Sequence, residues 1–477
     1  MEVSTVRSAT SYFKLSGALL RENLRRFWAI PALGMICWFF AGIFPLIMEN
    51  YRLSYFLDSI SQTENPFFAI FIVAFPLIAS VATLRYLFSP GSVSAMHTLP
   101  LTRGRLYFTN YVSCAIMTLA PVVVAFAVLF AADGMNARVL AAFALLLLLA
   151  LLHTALFHAA AMLTGNVVAH IGVAGFLAAA IPGVLLLGSV YFETMLFGYT
   201  SSGGLDTLCL RLIPVIYIFV ENLHSPAWII AYVLAIPALY AAGAALYSRR
   251  SLERAGDSVV FPAFEAILTF VVTFAGMTLM SAIFQEAGWG GFPYNLGSVI
   301  GAALMLLAVR MLMKKSVRVF NKRTLFQGAA FAVAAVLFLG GISLDVTGFE
   351  KRVPNPERVE YAELSRNFTP ALGGREIYLY SHHSYLDGRM TYEYEPALSN
   401  SLIFTEPENI RHITELHKSI TALRGEYVNG SRTHYTSISY QLGGGRLTRA
   451  WNIRDEHLKD SPDARALFES EEFKLQT

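Results

Sequence analysis

Apolar residues fill this chain in runs of about twenty, separated by short polar breaks, until the pattern stops near residue 345. A membrane-spanning helix needs about 20 mostly apolar residues. On that rule the pattern predicts spans over about 27–48, 66–88, 107–132, 138–163, 170–190, 227–247, 263–284, 294–313 and 324–344, nine in all. Pro31, Pro76, Pro121, Pro182 and Pro237 lie within several of them. A bundle tolerates such prolines because neighbouring groups re-satisfy the freed backbone. Residues 191–226 are too long for a tight turn and hold an apolar run, Leu205 to Val220, that is short for a span. Such a run suits a re-entrant or interfacial helix, and a loop packed on the end of the bundle would carry the same pattern.

The remainder is different material. "REIYLY" and "MTYEYE" alternate like strands. "PENIRHITELHKSITALRG" places Ile410, Ile413, Leu416, Ile420 and Leu423 at helical spacing, and "HYTSISYQLGGGRLTRAWNI" reads as two strands joined by a glycine-rich turn. The expected class is therefore mostly α. It is a polytopic membrane helix bundle of about nine spans followed by a small α+β domain. The expected divisions are an amphipathic segment over 1–26, six spans over 27–247, three more over 248–344 and the tail domain over 345–477. The ending "ESEEFKLQT" shows no closing element in its pattern, as a shortened form would.

Composition agrees. Of 477 residues, 55% are hydrophobic and 14% charged, against about 25% charged in soluble domains. A net charge of +3 does not suggest nucleic acid. Cys37, Cys114 and Cys209 are scattered, with neither disulfide nor metal spacing. The polar and amphipathic residues before the first apolar run do not read as a cleavable signal.

Charge placement assigns sides. Arg7, Lys14, Arg21, Arg25, Arg26, Arg103, Arg105, Arg249, Arg250, Arg254, Lys314, Lys315, Arg318, Lys322 and Arg323 all fall on the side of the N-terminus. Arg52, Arg138 and Arg211 fall on the other. Cytoplasmic loops carry the Lys/Arg excess. The N-terminus is therefore expected inside, and the tail after nine spans outside.

The most broken and basic stretch between spans is "GSVSAMHTLPLTRGRLYFTNY", residues 91–111. Ser92 can cap a short helix, Pro100 would end it, and Thr102 can cap the next span. Val93, Met96 and Leu99 would share one side, where a partner surface could take them. An ordinary loop whose arginines meet lipid phosphates fits the same pattern. A second basic loop, "YSRRSLERAGDSVVF", carries Arg249, Arg250, Glu253, Arg254 and Asp257. Arg250 and Glu253, three apart, are expected to pair at a helix end. Positive-inside anchoring explains that loop, and a second partner contact is the functional alternative.

Several chemistries are disfavoured. A P-loop needs a Gly-Lys pair, and the chain has none. His153 and His158 are five apart on one helix, about 140° round it. Arg85, Glu265 and Arg310 lie near span ends, where snorkelling or capping accounts for them. No chain of intramembrane carboxylates suggests proton coupling. Gly297 and Gly301 permit close helix contact within the chain or between chains. His382, His383, His412, His417 and His434 have no metal-ligand spacing. No catalytic residues are expected.

"SYFKLSGALLRENLRRFWAIPAL", "SAMHTLPLTRGRLYFTNY" and "SRRSLERAGDSVVFPAFEAILTF" together resemble bacterial ABC-2-type exporter permeases of the multidrug and antimicrobial-peptide resistance kind. The likeness is greatest to the branch with additional spans and an extracytoplasmic C-terminal domain. "MKKSVRVFNK", "SLDVTGFEKRVPNPERVEY" and "TEPENIRHITELH" resemble that branch too. The resemblance implies a six-span core over 27–247, a re-entrant piece at 205–222, and a coupling helix that sits in a groove of an ATPase subunit. That role would fall on Ser92, Val93, Met96, His97 and Leu99, with Arg103 beside them. It implies the cell membrane of a bacterium, surrounding lipid, an ABC ATPase partner and a second permease subunit, identical or different. ATP and magnesium would be held by the ATPase, with no cofactor on this chain. The alternative expectation is a mechanotransmission or sensor protein whose outer domain binds a cell-envelope ligand or antimicrobial peptide without transport.

Overall fold

The computed structural model describes residues 14–44, 67–133, 137–200, 205–219, 225–286, 291–365, 383–386, 389–392, 401–424, 433–454, 457–458 and 460–476. The chain divides into two compact units. One comprises Met1–Leu187 with Thr207–Phe331, the other Gly188–Asp206 with Ala332–Thr477.

The first unit is helical: α1 (Gly17–Arg26), α2 (Ala29–Trp38), α3 (Phe67–Leu84), α4 (Pro90–His97), α5 (Arg103–Asp133), α6 (Ala137–Leu163), most of α7 (Val167–Met195), most of α8 (Leu205–Arg211), α9 (Pro214–Phe219), α10 (Pro226–Arg249), α11 (Pro262–Glu286), α12 (Gly291–Lys314) and the start of α13 (Lys322–Ser343). Eight described helices are long and apolar enough to cross a membrane: α3 with the 3₁₀ turn Arg85–Phe88, α5, α6, α7, α10, α11, α12 and α13. This is a multi-pass membrane chain. The first expected span is only partly described. Helix α2 has 10 residues and runs into a π turn at Phe39–Ile43, and the rest of that span lies outside the described residues. The run expected to be re-entrant forms α8 and α9, two short helices rather than one.

Apolar faces meet around Trp38, Phe71, Phe75, Phe126 and Leu149, with the Trp38 and Phe71 rings 5.0 Å apart. Pro76, Pro121, Pro182 and Pro237 all sit inside helices. The Gly297/Gly301 pair is used within the chain, where α11 and α12 pack. A Cβ at Gly301 would overlap the Gly276 carbonyl and lie 2.6 Å from Met280 Cβ, and one at Gly297 would lie 2.8 Å from the Met280 carbonyl oxygen. Gly301→Leu should therefore separate these helices and destabilise the unit by at least about 1–3 kcal/mol. A thermal melt in detergent checks this, and an unchanged midpoint would refute it.

Two charged residues depart from the sequence expectation. Arg310 does not snorkel. It is fully buried, 2.5 Å from Glu265, which Arg323 also reaches at 3.5 Å. Three helices thus share one carboxylate, since long side chains at span ends can meet each other as readily as water.

The second unit holds the end of α7, the remainder of α13 and the tail. After α13, Asp345 adopts a left-handed φ of 46°, and its carboxylate accepts from the Phe349 and Glu350 amides at 2.7 and 3.0 Å. A four-stranded antiparallel sheet follows: β1 (Val359–Ser365), β4 (Ser401–Phe404), β5 (Thr433–Leu442) and β6 (Gly445–Arg454), in the order β4-β1-β5-β6. A separate hairpin pairs β2 (His383–Leu386) with β3 (Arg389–Tyr392). "REIYLY" lies outside the described residues, whereas the β5–β6 hairpin matches its prediction. Helix α14 (Pro407–Ala422) buries Ile410, Ile413, Leu416 and Ile420, as the spacing predicts.

Helices α15 (Pro462–Glu469) and α16 (Glu471–Gln476) fold back. The Gln476 amide side chain donates to the Ile403 carbonyl at 2.5 Å and accepts from its N–H at 2.8 Å. Against the opposing effect of burial, Glu472 is held below the usual carboxylate range by bonds from the Thr405 hydroxyl, the Asn409 side-chain amide and the Thr405 and Glu406 backbone amides. The β4 edge is therefore covered, which blunts strand addition by other chains. Periodicity missed this closure because side chains make it.

Candidate functional site

The residues singled out by sequence gather at one end of the first unit. Helix α4 starts at Pro90, with Ser89 in extended conformation at the cap, three residues before the expected Ser92. Proline presets the backbone of the first helical turn. Thr98 follows the helix, and Thr102 Oγ accepts from the Arg105 amide at 3.3 Å at the head of α5.

The expected apolar side of α4 is largely taken by the chain itself. Val93 is 2% exposed, and Met96 packs half-buried on the cluster of Leu84, Leu87, Leu106 and Tyr247. Leu99, beyond the helix, is 42% exposed. Ser92, Ser94 and Ala95 are exposed as well. The exposed face is thus small and polar with one apolar corner, while Val93 and Met96 anchor the helix.

Hydrogen bonds complete the anchorage. His97 Nδ1 lies 2.8 Å from the Val93 carbonyl and Nε2 lies 3.0 Å from Tyr247 Oη. A carbonyl can only accept, so Nδ1 carries the proton, and a neutral His97 then accepts from Tyr247. Tyr247 meets Tyr86 Oη at 3.1 Å. Arg103 donates to the Ser248 and Arg250 carbonyls at 3.0 and 3.2 Å, capping α10. Arg105 donates to the Leu15 carbonyl at 3.0 Å. Asn23 of α1 donates to Asn110 and Ser113 of α5 at 2.9 and 3.0 Å.

Arg250 does not pair with Glu253. It is 2% exposed and donates to the Ala161, Met162 and Leu87 carbonyls at 2.8, 3.1 and 3.0 Å. These carbonyls lie at the last turns of two helical elements, where acceptors lack intrahelical donors. Burial lowers its pKa to about 10, so it stays charged at neutral pH. The pairing fails because α10 ends at Arg249 and the chain turns Arg250 inward.

The "ERAGDS" turn is fixed mainly through backbone. Gly165 N donates to the Asp257 carbonyl at 3.1 Å, Gly256 N to the Gly165 carbonyl at 2.7 Å and Val260 N to the Leu163 carbonyl at 2.9 Å. Arg254 donates to the Val260 carbonyl at 2.6 Å. Gly256 has φ 99°, and a Cβ at Gly165 would lie 2.6 Å from the Asp257 carbonyl oxygen. Arg249, Glu253 and Asp257 remain exposed. The 3₁₀ turn Leu252–Arg254 packs beside α4, so two segments about 150 positions apart (by their numbering) form one surface. Tyr86, Tyr247 and Gly165 were not anticipated. Their only signal is a tyrosine at each of two span ends and a glycine between two spans.

Elsewhere, His412 lies 2.8 Å from Asp463 and His417 is buried against Tyr440. His382 and the side chains of His383 and His434 lie outside the described residues. Among the described residues no group of three or more His, Cys, Asp or Glu is placed to hold a metal. Comparison with protein-family models, curated proteins and solved structures finds no match to this chain.

Proposed function

We propose that this chain is the membrane-spanning subunit of an ATP-driven exporter of the ABC-2 permease kind, with α4 as its coupling helix. One observation carries the reading: α4, anchored by Val93, Met96 and His97, forms one exposed surface with the 249–257 turn. The basic residues there support a cytoplasmic placement. A push on α4 would pass to α3 and α5 along the chain and to α10 through His97 and Tyr247. A separate ATPase subunit would hydrolyse ATP, and two permease subunits would pair around the path of an amphiphilic substrate, whether peptide, drug or lipid-like. The protein would lie in the bacterial cell membrane with its tail outside.

A photo-cross-linking residue at exposed Leu99 or Ala95 should capture an ATP-hydrolysing chain, and one at lipid-facing Leu234 should not. Absence of such a product at both positions refutes the reading. So does a Leu99→Cys variant whose new thiol is labelled solely from outside the cell. A second reading, in which ATP moves the tail and nothing crosses the bilayer, draws on the inclusion of 188–206 and 332–344 in the tail unit. Transport that persists after deletion of residues 350–477 counts against it.

A further inference from the structure

The connection between α12 and α13, "KKSVRVFNKR" at 314–323, carries Lys314, Lys315, Arg318, Lys322 and Arg323 and no acidic residue. It is a built loop. Lys315 takes a left-handed φ of 50°, and Ser316 N donates back to the Met311 carbonyl at 3.2 Å, ending α12. Asn321 accepts from the Thr324 amide at 3.0 Å, starting α13. Between these ends Val319 is fully buried, while Val317 and Phe320 are 75% and 81% exposed. Both flanking helices are apolar enough to span, and the loop joining them is only a few residues long. The loop must therefore lie at the depth of the lipid headgroups.

We infer that this loop is a binding site for anionic phospholipid. Lys314, Arg318 and Lys322 would face the headgroup phosphates, with Val317 and Phe320 inserted among the upper acyl carbons. Basic clusters beside a span recognise anionic lipid, and snorkelling cations flanking apolar side chains suit that interface. Nearby acids do not cancel the charge. Glu265 is shared between Arg310 and Arg323, while Asp257 and Glu253 belong to the turn whose Gly256 carbonyl accepts from Lys315 Nζ at 2.6 Å. The aqueous partner surface proposed for α4 presents one large exposed apolar side chain, Leu99. This loop presents two between its cations, which favours lipid over protein here. The inference does not depend on an ATPase partner.

The test uses the full chain in phosphatidylcholine nanodiscs containing a trace of spin-labelled phosphatidylglycerol or spin-labelled phosphatidylcholine. The protein should immobilise the anionic label preferentially. Lys314→Gln combined with Arg318→Gln and Lys322→Gln should cut that preference roughly tenfold, and Phe320→Ser alone should weaken it. Arg411→Gln on the tail should leave it unchanged. All of these side chains are exposed, and helicity by circular dichroism confirms that each variant is folded. Equal immobilisation of the two labels by the wild type overturns the inference, as does preference undiminished in the triple variant. Displacement of the lipid by inorganic phosphate at matched ionic strength also overturns it, pointing to a free-phosphate site. Loss of a co-purifying protein with lipid preference intact overturns it in favour of protein docking.

Discussion

Replacing Arg250 with leucine is expected to unfasten the basic end of the first unit. The wild-type guanidinium serves three carbonyls, of Leu87, Ala161 and Met162. Leucine fills part of the volume but leaves the Leu87 and Met162 carbonyls without their donor, at about 1–3 kcal/mol for each, while Ala161 keeps only the longer bonds from Thr164 at 3.4 Å. A loss of about 2–6 kcal/mol follows from the two orphaned carbonyls. Because α4 packs where those carbonyls converge, its amides should exchange with deuterium faster well below global unfolding. Arg250→Lys should recover only part of the stability, since an ammonium lacks the planar fork that reaches divergent acceptors. Purified protein that melts like the wild type, with α4 protection unchanged, would show that Arg250 is not the fastener.

Acid should open the tail unit. Burial, aided by nearby Arg449, lowers the pKa of His417 to about 3. The ring stacks on Tyr440 and meets Trp451 edge-on, with centroids 5.7 and 5.0 Å away. Its Nδ1 lies 3.1 Å from Tyr440 Oη, which in turn donates to the Ile413 carbonyl at 3.4 Å. Nε2 is buried with no hydrogen-bond partner among the described residues. Protonation would therefore place a new donor and a charge where nothing accepts them. In the unfolded chain the imidazole takes up its proton near pH 6.5, and in the folded one only near pH 3. The stability contribution is complete above about pH 6.5 and drains away as pH falls toward 3. At about 1.4 kcal/mol per pH unit, the loss is on the order of 4 kcal/mol. Deuterium exchange across β5 and β6 in the full chain, corrected for intrinsic rates, should accelerate steeply over that window. His417→Phe keeps the ring and cannot titrate, so it should flatten the dependence. An equally steep acid response in that variant would place the sensitivity elsewhere.

Helix positions were legible because lipid imposes one demand, about twenty apolar residues with a satisfied backbone. The hairpin at 433–454 and helix α14 were legible for a similar reason, since period and turn chemistry are local. The partner of each side chain was not legible. Arg250 and Arg310 read as interfacial because a basic residue at a span end has water nearby by default. Only the fold reveals three carbonyls around one and Glu265 beside the other. The glycine pair at 297 and 301 announced a close approach without saying to what, and Gly276 supplies the answer. Val93 and Met96 read as a free apolar side because spacing reports a face but not whether the chain already covers it. Leu99, Arg249, Glu253 and Asp257 could be placed on a surface from sequence, yet not that the Leu252–Arg254 turn packs beside α4.

The loop that leaves α7 belongs to the tail sheet. Gly198 accepts from the Ala450 amide of β6 at 3.3 Å, and Phe197 N donates to Glu350 at 3.0 Å. Gly198, at φ 82°, also lies beneath the Trp451 indole. A polypeptide cut at residue 345 would therefore lack one wall of its own domain, with the outermost strand unguarded and a tryptophan laid bare. Solubility trials on such a fragment should report self-association rather than ligand recognition. During synthesis the same arrangement makes the domain a late assembly, finished only after β6 returns to a segment laid down about 250 residues before.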